Sequence, residues 1–373
     1  MATQRSADRD WGEPPWHVDV VVPRAPRPEH VAIAVVGAGF TGLATALACA
    51  ARGATVHVFE ARGVGAGASG RTGGIALEGT AAGPLPGAES CLAALASLVA
   101  AHGIDCDLEL RGCWTVRHVA GAAPPPPSPR WPDVGDSWIV RDRDEPGGSL
   151  DPGKLVAGLV RAALRAGVTV HEDARVEALE PGAPARLRVG AGWVTADRVI
   201  LAVNGFLPEF LPDASVRPAL TLAIATAPFE RETLAAIGLG ATPFYTSDFP
   251  YLWGRATRDG RLVIGAGLAF DAEDRVERVA IGRDDVREML ARLAARIRGL
   301  HPALASVPLT HAWGGPIAFR GHGEPLLAEI APGVLAAGAC AGHGIALSAS
   351  AAEIAVRWAC EGESPPAWGR AHT

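Results

Sequence analysis

Three glycines at the G-x-G-x-x-G spacing, Gly37, Gly39 and Gly42, enclose Ala38, Phe40 and Thr41, and an acid, Glu60, stands further along. In this pattern the first glycine allows a tight turn, the second lets backbone approach a pyrophosphate, and the third lets a helix pack closely on a strand. The positive end of the helix faces the phosphates, and an acid at Glu60 suits the ribose hydroxyls of an adenosine. Dinucleotide binding is the chemistry implied. A glycine turn with no ligand is the competing reading, and the acid at the expected distance weighs against it. A second glycine run, Gly65-Ala66-Gly67-Ala68-Ser69-Gly70-Arg71-Thr72-Gly73-Gly74, follows directly. The six cysteines, Cys49, Cys91, Cys106, Cys113, Cys340 and Cys360, contain no C-x-x-C pair and no zinc spacing, so no metal site is expected.

Such residues need a strand, a turn, a helix and a second strand to hold them, and the apolar pattern predicts that unit. Val31–Val36 reads as a strand, Gly37–Gly42 as the turn, Leu43–Arg52 as a helix and Thr55–Phe59 as the next strand. A helix over Ala88–His102 and a strand over Asp107–His118 follow. Asp151-Pro152 is a helix start, with an acid at the N-cap and proline in the first turn, and predicts a helix to about Arg165. Strands are expected at Thr169–His171, Arg175–Leu179 and Asp197–Ala202, the last ending in Val203-Asn204-Gly205 at its carboxyl end, where ligands collect. From Ala219 to Phe270 the pattern is antiparallel β, with a hairpin turn at Asp259-Gly260. Val286, Met289, Leu290, Leu293, Ala294 and Ile297 form the apolar stripe of a helix that should cover that sheet. The chain closes with a strand (Val334–Ala337), a glycine loop (Gly338–Gly344) and a helix (Ile345–Cys360).

A length of 373 residues suggests about two domains. With 49% hydrophobic and 20% charged residues the chain is expected to be globular. Lys and Arg number 34 against 40 Asp and Glu, a net charge of -6, which is the wrong sign for nucleic acid. Met1–Trp16 carries neither a signal peptide pattern nor an anchor, and Val31–Val36 is far too short to span a bilayer, so a cytoplasmic protein without a membrane span is expected. Residues 1–28 read as an irregular leader anchored by Trp11 and Trp16, and Pro124–Pro129 as an extended surface connection.

The run Gly65–Gly74 is similar to the G-A-S-G-R-N-G-G run of the FAD-dependent amine and amino-acid oxidoreductases of the D-amino-acid oxidase superfamily, with Thr72 where asparagine is usual. Arg258–Gly267 resembles the family's substrate-domain hairpin, Trp313–Phe319 its return strand, and Ala337–Gly344 its closing G-x-x-G-H-G loop. The likeness is greatest to the branch containing gamma-glutamylputrescine oxidase, glycine oxidase and sarcosine oxidase. It implies an α/β fold: a Rossmann-type, glutathione-reductase-like FAD-binding domain (29–80, 149–215 and 315–373) with an interleaved α+β antiparallel-sheet substrate domain (81–148 and 216–314). It further implies FAD contacts at Gly37, Gly39, Phe40, Thr41, Gly42, Glu60, Ala61, Arg62, Ala68, Ser69, Arg71, Thr72, Gly73, Gly74, Val176, Ala202, Asn204, Gly205, Gly338, Gly342, His343, Gly344 and Ile345. The family's reaction is hydride removal from a carbon bearing nitrogen to flavin N5, giving an imine, with O2 the expected acceptor and H2O2 the product. Sarcosine-oxidase-like members carry a lysine near the flavin and a cysteine joined to it; Tyr251–Arg255 and Gly314–Phe319 contain neither, so noncovalent FAD is expected.

Arg71, Trp253, Arg255 and His343 are the expected catalytic residues, and Tyr245, Tyr251, Trp313 and His322 the expected substrate contacts. Strand alternation puts Tyr251, Trp253 and Arg255 on one face, an aromatic wall with a cation that suits a small amine or one bearing a carboxylate. The competing readings are a core Trp253 with a surface ion pair at Arg255, a His343 that only fixes its loop, and a His322 in a solvent turn. The partners implied are a small-molecule amine or amino acid and O2 or another electron acceptor, with the oligomeric state open. The missing lysine and a shortened stretch between Gly112 and Gly147 keep three alternatives in view. These are a dehydrogenase passing electrons to a non-oxygen acceptor, a tailoring oxidase with a specialised substrate, and a noncatalytic flavoprotein subunit.

Overall fold

The computed structural model describes residues 10–121, 130–212 and 216–369, so the expected Pro124–Pro129 connection and the first nine residues of the leader lie outside the described residues. Two compact units are present, one of Trp16–Leu110, Pro146–Pro218 and Ile317–Thr373, the other of Met1–Pro15, Arg111–Glu145 and Ala219–Pro316.

The first unit is built on a sheet with the strand order Leu326–Ala331, Val334–Gly338, Gly192–Leu201, His30–Val36, Val56–Phe59, Thr169–His171. All pairs are parallel except that between Leu326–Ala331 and Val334–Gly338. Both faces are buried, which is why His30–Val36 reads as a continuous apolar run: Ile33 and Val35 join one core cluster, Ala34 and Val36 the other. Helices Phe40–Ala51, Cys91–Ala101, Pro152–Arg165 and Gly344–Val356 share the first cluster. The Pro152–Arg165 helix starts as its sequence predicts, with Asp151 Oδ1 accepting from the Lys154 amide at 2.9 Å. Strands Val176–Glu180 and Ala185–Val189 extend antiparallel from Gly192–Leu201.

The second unit is an eight-stranded sheet ordered Leu309–Phe319, Arg217–Thr226, Leu262–Ala269, Trp253–Ala256, Phe244–Thr246, Cys113–Ala120, Ser137–Glu145, Arg130–Asp133. From Arg217–Thr226 to Arg130–Asp133 the neighbouring strands are antiparallel except for the parallel pair of Phe244–Thr246 with Cys113–Ala120. The helix Asp284–Leu300 lays Val286, Leu293, Ile297 and Leu300 inward, and Leu293 and Ile297 share a core with Phe244, Leu262 and Ile264 of the sheet. The hairpin turn at Asp259-Gly260 is present, with Gly260 at φ +86°.

One expectation differs from this arrangement. The Cys91–Ala101 helix, expected with the substrate domain, belongs to the first unit, because Cys91, Leu92 and Leu95 bury against the terminal helix, with Ser350 Oγ donating to Cys91 Sγ at 3.4 Å. Residues 10–28 of the leader are anchored by Trp11 and Trp16 as expected. In one unit the Trp11 indole is fully buried and donates to the Val279 carbonyl at 2.7 Å; in the other the Trp16 indole donates to the Gly70 carbonyl at 2.8 Å. Among the described residues no helix is long and apolar enough to cross a membrane.

Candidate active site

Parallel register sets Val36 level with both Phe59 and Leu201, and Leu201 level with Ala336, so the turns that follow these strands leave one edge of the sheet together. Each glycine of the first motif has a distinct geometric reason. Gly37 sits at φ +103°, and a Cβ there would lie 2.7 Å from the Ala202 carbonyl oxygen. A Cβ on Gly42 would lie 1.9 Å from the Gly37 carbonyl oxygen, so only glycine lets the helix Phe40–Ala51 approach the turn. A Cβ on Gly39 would meet Ser69 Oγ at 2.7 Å, and that hydroxyl accepts from the Phe40 amide at 2.9 Å. The second glycine run therefore closes on the first at a helix N-terminus, where backbone donors favour an anion.

Glu60 follows the strand Val56–Phe59. Its Oε2 accepts from the Ala38 amide at 2.9 Å and its Oε1 from the Arg62 amide at 3.0 Å. Burial lifts the Glu60 carboxyl above the usual range, against the pull of those two amides and of the Arg62 charge. An acid whose folded value is raised gives stability that is full below its unfolded value and lost as pH rises through the folded one. Melting of the flavin-free protein is therefore expected to fall, relative to Glu60→Gln, as pH climbs from the ordinary glutamate range. The same variant should bind FAD about tenfold more weakly, the loss of a charge-assisted acceptor. A pH-independent difference in melting temperature would remove this account of Glu60.

The other expected cofactor residues fall in the same unit. Ala61, Arg62, Ala68, Ser69, Arg71 and Thr72 are half-buried, and Gly73 and Gly74 are buried. Arg62 Nη2 donates to the Ala66 carbonyl at 2.9 Å. Val176 is buried at the head of its strand, which the Ala174 amide ties to the Glu60 carbonyl at 2.8 Å. Asn204, at φ +42°, directs its side-chain oxygen to the Cys340 amide at 3.5 Å, and Gly205 beside it is buried. A Cβ on Gly338 would lie 2.9 Å from Asn204 Cα. The loop beyond Gly338 holds Ala339 at φ +53° and Ala341 at φ +48°, then Gly342 at φ +92°. Two alanines in the left-handed region store strain of about 1–3 kcal/mol each. Alanine carries no sequence signal for that conformation, so nothing in the sequence marks these two positions. His343 is half-buried at the start of the helix Gly344–Val356, its amide donating to the Cys340 carbonyl at 2.9 Å, and Ile345 is buried behind it. His322 is exposed, in the turn between two strands.

The remaining expected residues belong to the second unit. Leu252 is fully buried in the core that the helix Asp284–Leu300 closes, and Ala256 packs against that core, so alternation sends Trp253 and Arg255 to the opposite face of the sheet. Arg255 is 5% exposed and Trp253 half-buried. A Cβ on Gly265, paired with Trp253, would lie 2.0 Å from the indole, so this glycine makes room for the ring. Tyr245 pairs with Trp253 across the strands and donates its hydroxyl to Glu145 Oε2 at 2.5 Å. Burial and the Glu145 carboxylate push its phenol well above the usual range. Tyr251 lies before the strand and is 46% exposed, whereas Trp313 is 1% exposed.

A glycine cradle that a Cβ would fill, a helix N-terminus, and an acid at the end of the second strand fit the pyrophosphate and ribose of FAD. The site and the two units define an α/β flavin-dependent oxidoreductase with a separate substrate domain. The chain belongs to the family described as FAD dependent oxidoreductase (DAO), which it matches over residues 32–358. It is 28% identical over 367 residues to the probable oxidoreductase OrdL of Rhizobium meliloti, covering 88% of this chain and 82% of that one. It is 26% identical over 353 residues to the gamma-glutamylputrescine oxidoreductase of Escherichia coli, covering 84% and 80%. Among solved structures, glycine oxidase from Geobacillus kaustophilus superposes with a TM-score of 0.72 at 19% identity, covering 92% of this chain and 99% of that one.

Proposed function

We propose that this enzyme oxidises the C–N bond of a small amine or amino acid that carries a carboxylate, with O2 as electron acceptor. The observation that carries the reading is the shared sheet face of Arg255 and Trp253, a buried guanidinium beside an indole. A guanidinium grips a carboxylate through two parallel hydrogen bonds, and an indole excludes water and attracts a cationic amine. The relatives named for gamma-glutamylputrescine and glycine support this substrate class.

Bound FAD would supply the two-electron acceptor for the hydride that leaves the substrate carbon. The chain's part is to bind, orient and shield. Tyr245, kept protonated by burial and by Glu145, acts as a fixed donor rather than a base. The N–H groups of the closing loop and the positive end of the Gly344–Val356 helix favour negative charge beside them, and Arg71 adds a cation to the same unit.

Anaerobic mixing with glycine, sarcosine, L-proline and gamma-glutamylputrescine tests the reading. Bleaching of the flavin by at least one is expected, with peroxide formed in step with recovery of colour in air. A flavin that stays oxidised with all four removes simple amine and amino-acid oxidation and puts the specialised-substrate and noncatalytic alternatives first; recovery without peroxide removes oxygen as acceptor. The FAD is expected to be noncovalent, since neither Tyr251–Arg255 nor Gly314–Phe319 holds a cysteine. Acid denaturation should release all of the flavin, and colour left in the precipitate would overturn this.

A further inference from the structure

We propose that His118 and Arg296 are positioning residues that hold the Ser247–Tyr251 turn, and with it the Tyr251 ring, in place for substrate. The inference rests on the reading of Tyr251 as a substrate contact. The turn joins the strands Phe244–Thr246 and Trp253–Ala256, and its base is closed by Thr246 N donating to the Leu252 carbonyl and Leu252 N to Thr246 Oγ1, both at 2.8 Å. Its tip carries Phe249, 77% exposed, and Tyr251, 46% exposed, with ring centroids 4.3 Å apart. Two exposed rings on a short turn have no apolar core to fix them, so order must come from polar bonds.

Those bonds converge from four elements. His118 Nδ1 lies 2.8 Å from Asp248 Oδ1 in the turn, and its backbone amide donates to Asp248 Oδ2 at 3.0 Å. Its Nε2 lies 2.8 Å from Asp133 Oδ2. Arg296 Nη2 also lies 3.3 Å from that Nε2. Asp133, its side chain wholly buried, takes two bonds from Arg296, Nε to Oδ1 at 2.7 Å and Nη2 to Oδ2 at 2.6 Å. Arg296 also donates to the turn itself, Nη1 to the Tyr251 carbonyl at 3.0 Å and Nη2 to the Pro250 carbonyl at 3.1 Å. The turn is thus held at Asp248 by the strand that carries His118, and at Pro250 and Tyr251 by the helix that carries Arg296. Burial alone would raise the Asp133 carboxyl, yet Arg296 and His118 hold it below the usual range, so the cluster keeps its charges together.

His118→Asn keeps a polar side chain and loses the bridge between the two carboxylates. In the FAD-loaded enzyme, amide hydrogen exchange over residues 244–256 is expected to speed up about tenfold, while exchange over the helix Asp284–Leu300 is unchanged, as loss of a charge-assisted bond predicts. With glycine, sarcosine, L-proline and gamma-glutamylputrescine as probes, KM for whichever turn over should rise about tenfold with kcat within about twofold. Asp248→Ala, at a half-exposed position, should reproduce both effects if His118→Asn fails to fold. Unchanged exchange over 244–256 would overturn the clamp even where Tyr251→Ala raises KM. Faster exchange with KM unchanged, while Tyr251→Ala raises KM, would overturn the positioning role. If Tyr251→Ala leaves KM unchanged, or no probe reduces the flavin, the substrate reading fails and the positioning role falls with it, although faster exchange would still show the clamp.

Discussion

Gly39→Val should give a folded, colourless protein. The new Cβ would enter the 2.7 Å contact with Ser69 Oγ, and the two added methyl groups would stand at the mouth of the helix N-terminus, where a pyrophosphate must approach backbone. Gly39 itself is not in the left-handed region, so valine is compatible with its backbone and the fold should survive. FAD affinity is expected to drop by a factor of about a hundred or more, which is about 2.7 kcal/mol or more. Flavin fluorescence titration of the purified apoprotein reads the affinity, and far-ultraviolet circular dichroism reads the fold. Valine protein purified yellow, with a full complement of FAD, would show that the cradle is not where the pyrophosphate sits.

Arg255→Met is expected to lower kcat/KM about a hundredfold for a carboxylate-bearing substrate while FAD content stays complete. A buried charge-assisted pair is worth about 1.5–3 kcal/mol, and methionine fills the volume without the charge. Lysine at this position should restore little, because a single ammonium cannot reproduce the two parallel bonds of a guanidinium. The decisive comparison is between an amino acid and its decarboxylated amine. Equal losses for both would assign Arg255 a structural role in its sheet and would take the carboxylate out of the proposed substrate.

Chemistry written in contiguous residues is legible in the sequence itself. The G-x-G-x-x-G turn, the Asp151-Pro152 helix start and the apolar stripe of Asp284–Leu300 depend on neighbours a few residues away, and all three are present. Contacts closed across long stretches of chain leave no such local trace. His118, Asp133, Asp248 and Arg296 come from three strands or turns and a helix, and nothing in the local pattern around any of them points to the other three. The placement of Cys91–Ala101 is hidden for the same reason, since its partner is a helix near the carboxyl end. Alternation puts Tyr251 on a strand, whereas the residue precedes it, because the turn residues Phe249 and Pro250 break the extended pattern.

The interleaving of the two units has a consequence for biosynthesis. The strand Val334–Gly338 pairs with Gly192–Leu201, and the loop after it rests on Asn204, so the nucleotide-binding sheet is finished only after the intervening Ala219–Pro316 segment of the other unit has been made. The earlier strands of that sheet must therefore wait, partly assembled, for Val334–Gly338. Capture of FAD is then expected to follow the arrival of Val334–Gly338, and chains broken off before Val334 should be left with an open sheet edge as substrates for proteolysis.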